Sequence, residues 1–141
     1  MKYVCDATNG RTWFRLETEA EAAQESALMG HAVEKYFLRE VEEARASYRP
    51  TSTVSFEQNI GLRAHMERTM PMFLTLRDRD GSGLATAMLP PGGADDRSFR
   101  MIVVGPNNRD PYPDNGDAIA ALGAHLGLML DRTRCYPYAG E

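Results

Sequence analysis

The sequence predicts a two-layer α+β domain: an antiparallel sheet of about five strands, two hairpins plus one central strand, packed against a long N-terminal helix and a C-terminal helix. Three observations predict it. Two segments alternate apolar with polar residues about Asn9-Gly10 and Asp80-Gly81, dipeptides suited to hairpin turns that need positive φ. Between them, the stretch from Thr18 to Tyr48 contains one glycine and no proline, with an apolar stripe at helical spacing. After a break at Pro90-Pro91-Gly92-Gly93, Phe99 to Val104 reads as a strand that is apolar on both faces, which suits a central position.

The first hairpin (1–17) takes its register from its turn. A two-residue type I′ loop at Asn9-Gly10 pairs Ala7 with Thr12, Cys5 with Phe14 and Tyr3 with Leu16 on one apolar face, and leaves Trp13 among polar residues on the other. Thr18 then opens a helix over 18–48 as its N-cap, with Glu21 completing a capping box. Ala22, Ser26, Met29, Val33, Tyr36, Phe37, Val41, Ala44 and Tyr48 make the stripe, while Glu25, Glu34, Lys35, Arg39, Glu42 and Glu43 make a solvated side. Arg49-Pro50 stops the helix. Such a rod spans about 45 Å, whereas a chain of this size has a radius of gyration of about 14 Å. Part of the stripe is therefore expected to pack on a second copy, giving a homodimer through the long helix.

Phe56, Ile60, Ala64 and their neighbours suit a short amphipathic helix over 55–69. The second hairpin (72–89), looped at Asp80-Gly81, pairs Leu76 with Ala85, Leu74 with Ala87 and Met72 with Leu89, again on one apolar face. The strand over 98–104 leads into a proline-punctuated loop, Gly105 to Asn115, long enough to suggest a task of its own. A helix over 116–131 follows, with Ile119, Leu122 and Leu126 inward and Gly123 and Gly127 permitting close packing. Residues 132–141 read as a tail whose Tyr136, Pro137 and Tyr138 can dock.

Composition narrows the function. At 141 residues and 43% hydrophobic content the chain supports one core and one domain. Its net charge is −4 and its cations are never adjacent, so a nucleic-acid partner, which needs a basic stripe, is not expected. No apolar run approaches the roughly 20 residues of a membrane span. The alternation of residues 1–16 differs from a leader's apolar block, so a cytoplasmic location is expected. Cys5 and Cys135 lack a CxxC partner and read as two reduced thiols in apolar surroundings, with a disulfide as the other option.

Reactive and metal-binding motifs are sparse. Asp78, Asp80, Ser82 and Gly83 match the opening of an EF-hand loop, but its twelfth position, where a bidentate Glu should stand, is Leu89. His31, His65 and His125 sit on separate predicted helices without converging ligands. Gly81-Ser82-Gly83 is not a nucleophile elbow. The helix following Gly105 is ringed by Asp110, Asp114 and Asp117, good caps and poor company for a phosphate. No metal and no cofactor is expected.

A polar and aromatic set in the loops remains: Asn107, Asn108, Arg109 and Tyr112, with Arg132, Arg134, Tyr136 and Tyr138 from the tail. Arginine and tyrosine supply much of the energy of partner contacts, and Trp13 joins them unless a helix covers it. The expected function is a small homodimeric protein that binds a partner protein or small ligand through this loop surface. The alternative is a small enzyme acting on an anionic substrate, with His65 as acid or base and Arg68 or Arg109 holding the anion.

Overall fold

The computed structural model describes residues 1–138 and contains an antiparallel sheet with helices on both faces. β1 (Lys2–Asp6), β2 (Thr12–Arg15), β3 (Met72–Arg77), β4 (Gly83–Leu89) and β5 (Ile102–Val104) lie side by side in chain order, each antiparallel to the next. α1 (Glu19–Met29), α2 (Val33–Ser47) and α3 (Ser55–Thr69) intervene between β2 and β3, and α4 (Tyr112–Leu126) follows β5.

On one face Trp13, Leu74, Leu76, Ala87 and Val103 meet Ala118, Ile119 and Leu122 of α4. On the other, Leu16 and Phe73 meet Ala22, Val33, Phe37, Val41 and Ala44, and the Phe37 and Phe73 rings pack edge to face at 5.1 Å. The layers thus number three, not two. β3 is responsible, because Met72, Leu74 and Leu76 point to α4 while Phe73 points the opposite way.

The single helix expected over 18–48 is two. Thr18 and Glu21 form the capping box, but α1 stops at Gly30, which takes a left-handed φ of 64° as its C-cap. α2 restarts at Val33. The buried residues Ala22, Glu25, Met29, Val33, Phe37, Val41 and Ala44 keep steps of three and four across the break, so periodicity alone hides the elbow. The two helices pack on the same sheet face. With the rod broken, the length argument for a dimer through it loses its premise.

The first hairpin also departs from its expected register. Thr8–Gly10 forms a 3-10 turn in which Arg11 N–H donates to the Thr8 carbonyl at 3.4 Å, and Ala7 N–H donates across the loop to the Arg11 carbonyl at 2.9 Å, so the loop is longer than two residues. An irregularity between Tyr3 and Cys5 then sets Cys5 opposite Trp13. Trp13 is fully buried under α4, its indole N–H donating to the Ala118 carbonyl at 2.9 Å, while Tyr3 turns outward. A large ring whose polar edge finds one acceptor stabilises this register over the expected one. Arg11 ties the loop to α4 through Asp117 at 2.7 Å. Hydrogen bonds from the Arg11 guanidinium and the Thr8 hydroxyl hold the Asp117 carboxyl well below the usual carboxylate range.

In the second hairpin Met72 faces Leu89, Leu74 faces Ala87 and Leu76 faces Ala85, the pairs expected. β5 begins at Ile102 rather than 98, because Asp96 caps a turn through the Ser98 N–H at 2.9 Å. It stands last in the strand order, not centrally. Its outer edge is nonetheless covered: Tyr136 N–H donates to the Met101 carbonyl at 2.8 Å and Val103 N–H to the Tyr136 carbonyl at 3.3 Å. α4 starts at Tyr112, ahead of the expected 116, with Pro113 in its first turn, and ends at Gly127 (φ 73°) rather than 131. Leu128 and Leu130 then fold back into the core. Cys5 and Cys135 are buried free thiols whose pKa values burial raises. Of the tail, 139–141 lie outside the described residues.

Candidate functional site

The α1–α2 elbow creates the most site-like feature of the molecule. His31, Ala32, Val33 and Tyr36 of the elbow, Thr86 and Met88 of β4, Ile102 and Val104 of β5, Asn108 and Tyr136 enclose a cavity of about 370 Å³ floored partly by Phe73. Thr86 and Phe73 are buried at its base, while Tyr36 and Tyr136 stand exposed at its mouth. The lining is mostly apolar and contains no carboxylate and no Lys or Arg. This is the composition of a small-molecule pocket, toward the lower end of the roughly 300–1,000 Å³ such pockets occupy.

A directed hydrogen-bond chain runs beneath it. Val33 N–H approaches His31 Nδ1 at 3.4 Å, which assigns the imidazole proton to Nε2. Nε2 donates to Thr86 Oγ1 at 2.8 Å, and Thr86 donates in turn to Glu25 Oε2 at 2.5 Å. The other Glu25 oxygen accepts from Arg77 at 2.6 Å, and Arg77 Nε donates to Thr75 Oγ1 at 2.9 Å. Burial lowers the His31 pKa, so the ring is neutral near pH 7. Glu25 is fully buried, contrary to its place on the expected solvated side; Arg77 and Thr86 supply the partners that make this tolerable.

His, Thr and Glu in one chain invite comparison with a nucleophilic triad, and the proton directions exclude it. A hydrolytic triad needs the hydroxyl to give its proton to imidazole. Here the hydroxyl gives it to the carboxylate. Both imidazole nitrogens are engaged, so the arrangement fixes a neutral, oriented cavity base and activates no nucleophile.

The sequence-derived candidates scatter. Asn108 and Tyr136 line the cavity, and Asn107 lies against Gly30, where an added Cβ would fall 2.2 Å from its Oδ1. Trp13 is buried in the core beneath α4. Tyr112, Arg132 and Tyr138 form a separate cluster near the start of α4: Tyr112 and Tyr138 rings sit edge to face at 6.0 Å, the Arg132 guanidinium lies 4.7 Å from the Tyr138 ring centroid, and Arg132 bonds Asp110 at 3.0 Å. Tyr112 donates to the Leu130 carbonyl at 2.8 Å, and burial pushes its phenol well up. This cluster holds the chain segment after α4 in place. Tyr112 and Arg132 also border a 360 Å³ groove along α4.

Arg134 pairs with Asp95 at 3.5 Å, and Arg109 is exposed. His65 bonds Ser47 Oγ at 2.8 Å and leans on the Tyr48 ring at 5.4 Å, while Arg68 is exposed on α3. None of His65, Arg68 and Arg109 lines the elbow cavity, the α4 groove or the 210 Å³ cleft at Arg15 and Arg63. Sequence reasoning missed Glu25, His31, Thr86 and Tyr36. Their one available signal was Thr75 and Thr86 interrupting apolar strands, a mark of polar partners on the opposing layer.

Among the described residues no cluster of His, Cys, Asp and Glu could hold a metal ion, and no helix is long and apolar enough to cross a membrane. Comparison with protein-family models, curated proteins and solved structures finds no match to this chain.

Proposed function

We propose that the protein binds a small, largely apolar molecule in the elbow cavity. The observation carrying this is the cavity itself: five separate parts of the chain converge on it, its base offers oriented polar groups, and its mouth is framed by two tyrosines. Its volume of about 370 Å³ is roughly the room of a dozen waters, so an occupant of about ten non-hydrogen atoms is the right size. Backbone NMR titration with uncharged octanol provides the test. Shifts concentrated at His31, Thr86, Ile102 and Asn108 are expected, and Ile102→Trp, which fills the cavity from a half-buried position, should weaken binding at least about tenfold. Shifts scattered over the surface, or none, would overturn the proposal.

Self-association is a second reading, favoured by α3 rather than by the N-terminal helices. None of its 15 residues is buried, and Phe56 and Ile60 are 72% and 55% exposed on its outward side. An antiparallel pairing about a two-fold axis at Ile60 sets Glu57 opposite Arg63, so the stripe is complementary to itself in charge as well as in hydrophobicity.

A further inference from the structure

The cavity's interior and its rim differ in charge, and that difference selects a ligand class. Tyr36 and Tyr136 at the mouth each carry a guanidinium against the ring: Arg39 lies 5.1 Å from the Tyr36 centroid and Arg100 5.1 Å from that of Tyr136. Both arginines are exposed. Among the described residues neither forms an ion pair, although Glu40 follows Arg39 on α2 and tempers its field. Stacking on a ring leaves a guanidinium's N–H edge free for a carboxylate. Within the cavity there is no cation to meet an anion, since His31 directs its one proton to Thr86 and Glu25 lies beyond.

We infer that the cavity takes an amphipathic monocarboxylate of medium length, apolar body inward against Phe73, Met88 and Ile102 and carboxylate outward between Arg39 and Arg100. This rests on the ligand-binding proposal above. The orientation follows from the placement of charge: a carboxylate driven to the base would be desolvated beside the Glu25 carboxylate, whereas at the mouth it stays partly hydrated and meets two donors. A cationic amphiphile of the same length has no acidic side chain to meet in the lining.

Calorimetric titration with octanoate, octanol and octylammonium at pH 7.5 tests the inference, using the full chain, an Arg39→Gln/Arg100→Gln variant and the Ile102→Trp variant. Octanoate should bind about tenfold tighter than octanol at about 20 mM salt, a gap that narrows toward 500 mM, with octylammonium weakest. The double glutamine variant should bring octanoate to the affinity of octanol and leave octanol unchanged, and Ile102→Trp should weaken both. Octanol binding as tightly as octanoate, or an octanoate preference that survives the double substitution, overturns the carboxylate assignment and leaves the pocket standing. Failure of all three probes to bind overturns both.

Discussion

A carboxylate with no exposed surface needs both oxygens answered, and Glu25 has Arg77 on one and the Thr86 hydroxyl on the other. Glu25→Ala leaves a guanidinium only 15% exposed without its counter-charge and a hydroxyl without its acceptor. Removing one partner of a buried pair costs about 3–5 kcal/mol, so a corresponding drop is expected in urea unfolding, with the slope against denaturant unchanged. Glu25→Gln keeps an acceptor for Thr86 and should fall well short of that loss. Nothing in the local sequence announces this residue: its partners lie 52 and 61 positions away, and its acidic neighbours on α1 are Glu19, which is exposed, and Glu21, which is half-buried. Trp13 was illegible for a related reason, since an irregularity beside Cys5 decides which face it takes and the turn dipeptide does not encode that irregularity.

At the scale of elements, Gly30 separates a rod from an elbow. Its φ of 64° costs an L side chain roughly 1–2 kcal/mol, and an added Cβ would also press on Asn107. Gly127 offers a matched control, because it caps α4 at φ 73° with open space where its Cβ would go. Gly30→Ala should therefore destabilise by about 1–2 kcal/mol or more and exceed Gly127→Ala by the cost of moving Asn107, read from paired thermal or urea melts. Equal losses would mean that the contact between the elbow and the loop after β5 contributes nothing. The capping box at Thr18, the second hairpin and the span of α3 could be read from the chain because each is set by contacts within about twenty residues. The elbow could not, since the stripe from Ala22 to Ala44 keeps its phase through it. Strand β5 was misplaced because an edge strand buried on both faces and covered by the tail has the apolarity of a central one.

At the scale of the whole molecule, α3 leaves an apolar stripe uncovered: it meets α2 through His65 and Tyr48 while Phe56 and Ile60 face away. Sedimentation velocity should find a concentration-dependent dimer, and Ile60→Lys should raise its midpoint concentration at least about tenfold. A monomer at every concentration would remove self-association and leave ligand binding untouched. The site was less legible than the fold for the same physical reason throughout: its residues come from α1, the elbow, β4 and the tail, and only the three-layer packing brings them together. The tail joins two of these properties. Tyr136 both closes the free side of the last strand and frames the mouth of the cavity, so an occupant that keeps its ring seated also withholds that strand from intermolecular pairing. Octanoate at saturation is therefore expected to slow fibrillar aggregation, which thioflavin fluorescence with and without it would check.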